Sequence, residues 1–172
     1  MLLHFSAATC NRRARAELAI VPDLLVRLYH LRLPLFAPGN AIVRRAFSAE
    51  KHLVIRWIAE QFTEAWAAEW EAAFARLPVS CFVAIGQEQV LGFASYDATA
   101  RGFFGPFGVA ESARGRGLGR MLLDATLVDM RANGYAYAII GHATEVDFYR
   151  EAIGAIEIAD SDPGFYRGLL SQ

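Results

Sequence analysis

The chain has 172 residues, a formal net charge of -1 at pH 7 and 55% hydrophobic residues. This composition excludes an intrinsically disordered chain, and the length fits one domain. Duplex nucleic acid is bound by neutralising many phosphates, so the near-zero net charge argues against nucleic acid as the main partner. We divide the chain into an N-terminal arm, residues 1–20, expected to be partly disordered, and a single domain, residues 21–172.

The cysteine pattern and the hydropathy define the expected environment. Cys10 and Cys81 are far apart in sequence, which indicates neither a disulfide framework nor a metal site. No stretch reaches the roughly 18 apolar residues that a membrane-spanning helix needs. These features predict a soluble cytoplasmic protein with no membrane partner and no bound metal.

Hydrophobic periodicity in the first half of the chain predicts strands and a long helical segment. Ser48 is expected to be the N-cap of the helical segment, and Thr63 followed by Glu64 is expected to divide it into two helices. A turn is predicted at residues 38–40. The predicted elements are the strands 24–33, 41–47, 80–85 and 90–96 and the helical segment 49–76. The strands 80–85 and 90–96 are expected to form an antiparallel hairpin.

The second half predicts a strand, a helix, a strand, a helix and a short strand. Gly105-Pro106 interrupts the first of these strands, and a proline within a ladder indicates a bulge or an unpaired edge. The continuously apolar strand 135–140 is expected to be buried on both faces. The predicted elements are the strands 103–109, 135–140 and 155–159 and the helices 117–133 and 144–153.

The most informative segment is 109–123, where a hydrophobic strand passes through an Arg/Gly-rich turn into an amphipathic helix. Glycines can take positive φ values, which lets several backbone N–H groups approach one anion, and the helix start adds unpaired N–H groups and a positive dipole end. The residues of this candidate polyanion site are Arg114, Gly115, Arg116, Gly117, Leu118, Gly119 and Arg120. An ordinary Gly/Arg-rich surface turn is the alternative.

The spacing of the glycines narrows the choice of anion. The dinucleotide fingerprint needs glycine at position 120, and the nucleotide-triphosphate loop needs a Gly-Lys-Ser/Thr ending that is absent. The pattern Arg-x-x-Gly-x-Gly at 114–119 resembles the pyrophosphate-binding signature of the GNAT superfamily of acetyl-CoA-dependent N-acetyltransferases.

This resemblance implies an α/β fold with a mixed sheet, the GNAT-type acyl-CoA N-acyltransferase fold, over residues 41–159, with acetyl-CoA as cosubstrate. The strand 24–33 precedes the first element usual in the family and is expected to be an added edge strand. The tail from residue 160 looks shorter than the family's final hairpin.

The resemblance also implies roles for residues outside the turn. The backbone of Phe107, Gly108 and Val109 would pair with the pantetheine arm and polarise the thioester. Tyr149, in a run that resembles the family's last-helix signature, would act as general acid; core packing is the alternative. His142 stands where many relatives have an asparagine that hydrogen-bonds the pantetheine or the next turn. It could instead be a proton carrier, and a plain loop histidine is the alternative.

The residue that receives the acceptor's proton is not indicated by the motif, since the strand 103–109 contains no acidic residue. Candidates for the acceptor site or the base are Glu64, Glu69, Tyr96 and Asp97, each of the carboxylates being alternatively a surface group. Trp57, Trp66 and Trp70 share a helical stripe that is expected to be mostly core, although one of them could line an acceptor pocket.

We therefore expect an N-acetyltransferase that transfers an acetyl group from acetyl-CoA to a primary amine of a small molecule, by direct attack in a ternary complex. Residues 92–97, 102–106 and 137–141 show a looser resemblance to a bacterial subgroup, some members of which are fused to amino-sugar glycosidases or acetylate glucosamine. This implies an amino sugar as one acceptor. The alternative is a catalytically silent acyl-CoA-binding sensor or assembly module, and a homodimer is left open.

Overall fold

A computed structural model describes residues 21–31 and 41–170. The N-terminal arm and the turn at 38–40 lie outside the described residues. The helices are α1 Lys51–Gln61, α2 Glu64–Ala72, α3 Leu118–Ala132 and α4 Val146–Ile153. The strands are β1 Leu24–Arg27, β2 Ile42–Arg45, β3 Cys81–Gly86, β4 Gln89–Tyr96, β5 Phe103–Val109, β6 Tyr137–Ile140 and β7 Ile156–Glu157.

The seven strands form one mixed sheet in the order β2-β3-β4-β5-β6-β1-β7. The β5–β6 pair is parallel, and the other neighbouring pairs are antiparallel. The crossover between the parallel strands contains α3, which follows the glycine turn. The predicted α/β fold with a mixed sheet is confirmed.

Local sequence signals account for the hairpin and for the break between the first two helices. Gln87 and Glu88 have φ values of +50° and +60°, as a tight two-residue hairpin turn between β3 and β4 requires. Thr63 is the N-cap of α2, and its Oγ1 accepts a hydrogen bond of 3.1 Å from the Trp66 amide. Both predictions are confirmed.

The prediction that Ser48 is an N-cap is wrong. Ser48 begins a 3₁₀ turn, Ser48–Glu50, that leads into α1, and the cap positions are Phe47 for this turn and Glu50 for α1. Glu50 Oε1 instead accepts a hydrogen bond of 2.8 Å from the Phe47 amide. Arg44 donates to both oxygens of the same carboxylate, at 2.6 and 2.8 Å, and this holds the carboxylate at the helix start.

The predicted strand 24–33 exists, but its length and its place in the sheet differ from the expectation. Within the described residues β1 ends at Arg27, where a 3₁₀ turn begins. It is not an edge strand, because Leu24 pairs with Ile140 of β6 on one side and with Glu157 of β7 on the other. Leu24 and Val26 are fully buried, as expected for a strand that lies between β6 and β7 inside the sheet.

The expectation that residues 135–140 are buried on both faces is also wrong. Ala138 and Ile140 are buried in the main core, whereas Tyr137 is 47% exposed. The Tyr137 ring packs edge-on against Tyr29, which is exposed as well. Alternate residues of β6 therefore face the core and the surface.

Helices cover both faces of the sheet. On one face Leu122, Leu127 and Met130 of α3 are fully buried, and the buried residues of α4 belong to the same cluster. On the other face, Ile58 of α1 and Trp70 of α2 pack with strand residues. No helix in the described ranges is both long enough and apolar enough to cross a membrane.

Candidate active site

The sheet opens between β5 and β6. These two strands pair only through Phe103 and Phe104, so on that side residues 105–109 have no strand partner within the described ranges. On its other side β5 pairs with β4, and the register shifts between Ala94 and Tyr96, opposite Gly105 and Pro106. The predicted bulge at Gly105-Pro106 is confirmed, and it marks the point where the strands diverge.

A cleft of about 1080 Å³ occupies this opening. Its walls come from both faces of the sheet: the glycine turn and α4 on one, and α2 on the other. The charged and aromatic side chains in the lining are Trp66, Glu69, Phe104, Phe107, Arg114, Arg120, His142, Glu145, Phe148, Tyr149 and Tyr166.

The glycine turn forms one end of the cleft. Gly115 and Gly117 have φ values of +75° and +77°, and Gly117 is the N-cap of α3. The backbone amides of residues 115–120 have no acceptor in the described part of the chain, and the first helical bond at this end runs from the Met121 amide to the Gly117 carbonyl. A set of unpaired N–H groups at a helix start is an anion-binding arrangement.

Two glycines lie where helices pack on β5. A Cβ on Gly119 would lie 3.4 Å from Cζ of Phe107, which is ordinary van der Waals contact. On the other face of β5, a Cβ on Gly108 would lie 2.6 Å from Cζ of Phe62. The strand that borders the cleft is thus held between α3 and the end of α1.

The three arginines of the turn differ in position. Arg114 and Arg120 line the cleft, whereas Arg116 is outside the lining and donates to the Ser112 carbonyl at 2.9 Å. Arg120 Nε donates to both carboxylate oxygens of Asp124, at 2.8 and 2.9 Å. Burial raises the pKa of Asp124, and Arg120 offsets part of this rise. Because Asp124 balances the charge of Arg120, the main-chain amides of the turn and Arg114 are the groups best suited to bind an anion.

Tyr149 lies on α4 with 8% of its surface exposed and lines the cleft. Its ring packs against Phe104, Phe107 and Phe148, with centroid distances of 6.4, 6.5 and 5.1 Å. Among the described residues its hydroxyl has no hydrogen-bonding partner, yet the hydroxyl is not sealed from the cleft. Burial, with a smaller effect from Glu145, raises the pKa of Tyr149, so the phenol keeps its proton at neutral pH.

His142 lines the cleft just after β6. Its ring stacks on Tyr166 with a centroid distance of 4.2 Å, and its Nε2 lies 3.9 Å from Asp162 Oδ1. Its φ is +45°, and its backbone amide donates to Asp23 Oδ1 at 2.9 Å. The segment before β1 therefore fixes the backbone of this loop.

Of the four acceptor-site and base candidates, only Glu69 lines the cleft; it accepts a hydrogen bond of 3.0 Å from Thr99. Glu64 is exposed on α2, outside the lining. Tyr96 donates to Asp129 Oδ2 at 2.8 Å, beside α3. Asp97 accepts from the Gly102 amide at 2.6 Å and from the Tyr135 hydroxyl at 2.5 Å, and both contacts tie the loop between β4 and β5.

The C-terminal segment contributes to the cleft in a way that sequence reasoning missed. Tyr166, Leu169 and Leu170 line it. Burial and the charges of Glu69 and Asp23 raise the pKa of Tyr166 to about 12. A Cβ on Gly141 would overlap the Tyr166 hydroxyl, so a larger residue at position 141 would displace the Tyr166 side chain. In the sequence, the aromatic pair at residues 165–166 of the short tail is the feature that could have indicated this contribution.

The fold and the cleft agree with the comparison to known families. Residues 51–156, more than half of the chain, match the family model described as the Acetyltransferase (GNAT) family. The chain therefore belongs to the GNAT family of acetyltransferases. No curated protein matches the chain.

Solved structures share the fold at low sequence identity. One is a GCN5-related glucosamine N-acetyltransferase region of a fungal multi-domain GH3 β-N-acetylglucosaminidase, with a TM-score of 0.66 and 15% identity over 81% of this chain and 20% of that chain. A GCN5-related N-acetyltransferase from Sphaerobacter thermophilus has a TM-score of 0.62 and 18% identity, over 81% of this chain and 49% of that chain. A GNAT family acetyltransferase from Brucella melitensis, solved with acetyl-CoA, has a TM-score of 0.52 and 18% identity, over 64% of this chain and 80% of that chain.

Proposed function

We propose that this chain is an acetyl-CoA-dependent N-acetyltransferase that acetylates a primary amine of a small molecule by direct attack in a ternary complex. One observation carries the proposal: a single cleft joins the unpaired amides of residues 115–120, the unpaired edge of β5 and the hydroxyl of Tyr149. These are the parts needed to bind an acyl-coenzyme A and to protonate its sulfur.

We assign the residues of the cleft to successive parts of the coenzyme. The amides of residues 115–120 and Arg114 would bind the pyrophosphate. The edge of β5 that has no strand partner, at Phe107 and Val109, would pair with the amides of the pantetheine arm as an added strand, in place of the 3.4 Å hydrogen bond from Arg114 Nε to the Val109 carbonyl. Backbone donors of the same edge would polarise the thioester carbonyl. His142 lines the cleft beyond this edge.

The transfer step needs an unprotonated amine. The ammonium form of the acceptor first loses a proton to a group of the cleft or to water. The nitrogen lone pair then attacks the thioester carbonyl carbon. The C–N bond forms, and the C–S bond breaks with its electron pair on sulfur, to which Tyr149 gives its phenolic proton. The nitrogen loses a second proton, which restores the phenol through solvent, so one proton is released overall.

An amino sugar is the acceptor that we propose. Trp66 and Tyr166 bring aromatic rings to the cleft, and such rings stack on the apolar face of a sugar. One structural relative is described as a glucosamine N-acetyltransferase region. Glucosamine is therefore the first amine to test.

Calorimetric titration with coenzyme A tests the binding half of the proposal. We expect Gly117→Ala to weaken binding about tenfold, because a Cβ disfavours the φ of +77° that orients the turn's amides. Gly134→Ala is the matched control, since Gly134 follows α3 at its other end with a φ of +89° and has equal space around it. Both variants should lose about 1 kcal/mol of stability.

Two results would contradict the proposal at different points. If the folded wild-type chain takes up no coenzyme A at millimolar concentration, the cleft is not an acyl-CoA site. If it binds coenzyme A but consumes no thioester with any amine, the catalytically silent sensor is the better description.

A further inference from the structure

One wall of the cleft differs in character from the glycine turn. It consists of Trp66, Glu69, Thr99 and Tyr166, and we name it the acceptor wall. Trp66 and Glu69 are three residues apart on α2, so their side chains lie on the same face of the helix. Thr99 comes from the loop after β4, and Tyr166 comes from the C-terminal segment.

We propose that the acceptor wall selects amines that carry no carboxylate or phosphate, and that Glu69 binds their ammonium group. This inference rests on the proposed acetyltransferase function and names the class of its acceptor. The inferred class of acceptors includes glucosamine and any other primary amine whose remaining part is flat and uncharged.

One oxygen of the Glu69 carboxylate accepts a hydrogen bond that orients the group, and the other oxygen is open. Thr99 Oγ1 donates to its Oε1 at 3.0 Å, and its Oε2 has no donor among the described residues. Glu69 is partly buried, so less water competes for the open carboxylate oxygen. A carboxylate with one fixed and one open oxygen, facing a cleft, is suited to a charge-assisted hydrogen bond from an ammonium group.

The charges around the cleft exclude an anionic acceptor. The arginines of the lining, Arg114 and Arg120, belong to the glycine turn, and within the described ranges no lysine or arginine lines the acceptor wall. Arg167 lines an adjoining hollow of about 530 Å³ that shares Glu69, Thr99 and Tyr166 with the acceptor wall, but it does not line the cleft itself. A carboxylate or phosphate on the acceptor would lose water without gaining a cation.

His142 does not change this balance. It is the remaining basic side chain of the lining, and its ring is stacked on Tyr166. Its Nε2 lies 3.9 Å from Asp162, so a carboxylate stands beside any charge that it carries. Glu145 lines the cleft as well, and it adds negative charge rather than positive charge.

The aromatic side chains set the shape of the acceptor body. Trp66 stacks on Phe62 with a centroid distance of 5.4 Å and an interplanar angle of 23°, so its ring plane is fixed. Tyr166 is fixed in the same way by His142. Rings held in this manner offer flat, uncharged surfaces to a sugar or an aryl group.

Matched acceptor pairs test the inference. Glucosamine is compared with glucosamine 6-phosphate, and 2-phenylethylamine with phenylalanine, so that each pair differs by one anionic group. We expect kcat/KM to favour the uncharged body by at least about tenfold in both pairs, as an uncompensated charge requires. Equal or greater activity on the anionic member of both pairs would overturn the inference.

Substitution of the carboxylate tests the role of Glu69. Glu69→Gln should raise the KM for glucosamine about ten- to hundredfold, leave the Kd for coenzyme A unchanged and reduce the discrimination within each pair. Glu60→Gln is the control, because Glu60 is exposed on α1 outside the cleft lining. Unfolding curves establish that both variants are folded.

The outcomes separate this inference from the proposed function. Absence of coenzyme A binding rejects the function itself. If coenzyme A binds but no acceptor turns over, binding of the amines to the coenzyme-loaded protein is measured by saturation-transfer NMR. Failure of glucosamine and 2-phenylethylamine to bind, or binding that Glu69→Gln leaves unchanged, then rejects the inference.

Discussion

Replacement of Tyr149 by phenylalanine separates chemistry from packing. The Tyr149 ring is enclosed by Phe104, Phe107 and Phe148, and phenylalanine keeps these contacts. The hydroxyl has no hydrogen-bonding partner among the described residues, so its removal leaves no protein group unpaired. We therefore expect the free energy of unfolding to change by less than about 1 kcal/mol.

The effect on catalysis should be much larger. General acid catalysis contributes about 10²–10⁴-fold to a rate, so kcat should fall at least about a hundredfold, equivalent to about 3 kcal/mol of transition-state stabilisation. The Kd for coenzyme A should stay within about twofold of the wild-type value. The pKa of Tyr149 is raised by burial, so the loss should be similar from slightly acidic to slightly alkaline pH.

The assay is thioester consumption with saturating amine, alongside calorimetry with coenzyme A. Tyr137→Phe is the control, because Tyr137 is an exposed tyrosine on β6 outside the cleft lining. A kcat for Tyr149→Phe within about threefold of wild type would refute the assignment of Tyr149 as the acid. A large loss of stability would show that the hydroxyl has a structural partner.

Two further predictions concern stability. Gly108→Ala should lower the free energy of unfolding by about 1–3 kcal/mol in urea, because its Cβ would lie 2.6 Å from the Phe62 ring; Gly119→Ala, in looser contact at 3.4 Å, should be close to neutral. The hydrogen bonds from Arg44 hold the pKa of Glu50 below its usual value of 4.5. Their stabilisation is therefore present above that value and is lost as pH falls through the lowered folded pKa. Glu50→Gln should be less stable than wild type at neutral pH and indistinguishable from it in strong acid; a gap that persists in acid would contradict the ion-pair explanation.

The features that could be predicted from the sequence depend on short-range rules. The glycine turn, the Thr63 cap and the bulge at Gly105-Pro106 each follow from what a few adjacent residues permit. The resemblance to the GNAT family extended these local signals to a whole fold, and the match over residues 51–156 supports that extension.

The features that could not be predicted depend on long-range packing. Nothing within residues 24–33 indicates that β1 would lie between β6 and β7, more than a hundred residues later in the chain. Asp97 follows a strand end, as a catalytic carboxylate could, but the Tyr135 hydroxyl and the Gly102 amide bind it from other elements. Tyr166 enters the cleft because the tail folds back over Gly141.

The placement of β1 changes what counts as the minimal folding unit. A version of the protein that began at Lys51, where the family match starts, would lack the strand that joins β6 to β7. It would also lack Asp23, whose carboxylate receives the His142 amide and whose own amide donates to Ser161 Oγ at 2.8 Å. Shortened versions intended for crystallisation or engineering should therefore retain the chain from Pro22 onward, because the loop that carries His142 is anchored from there.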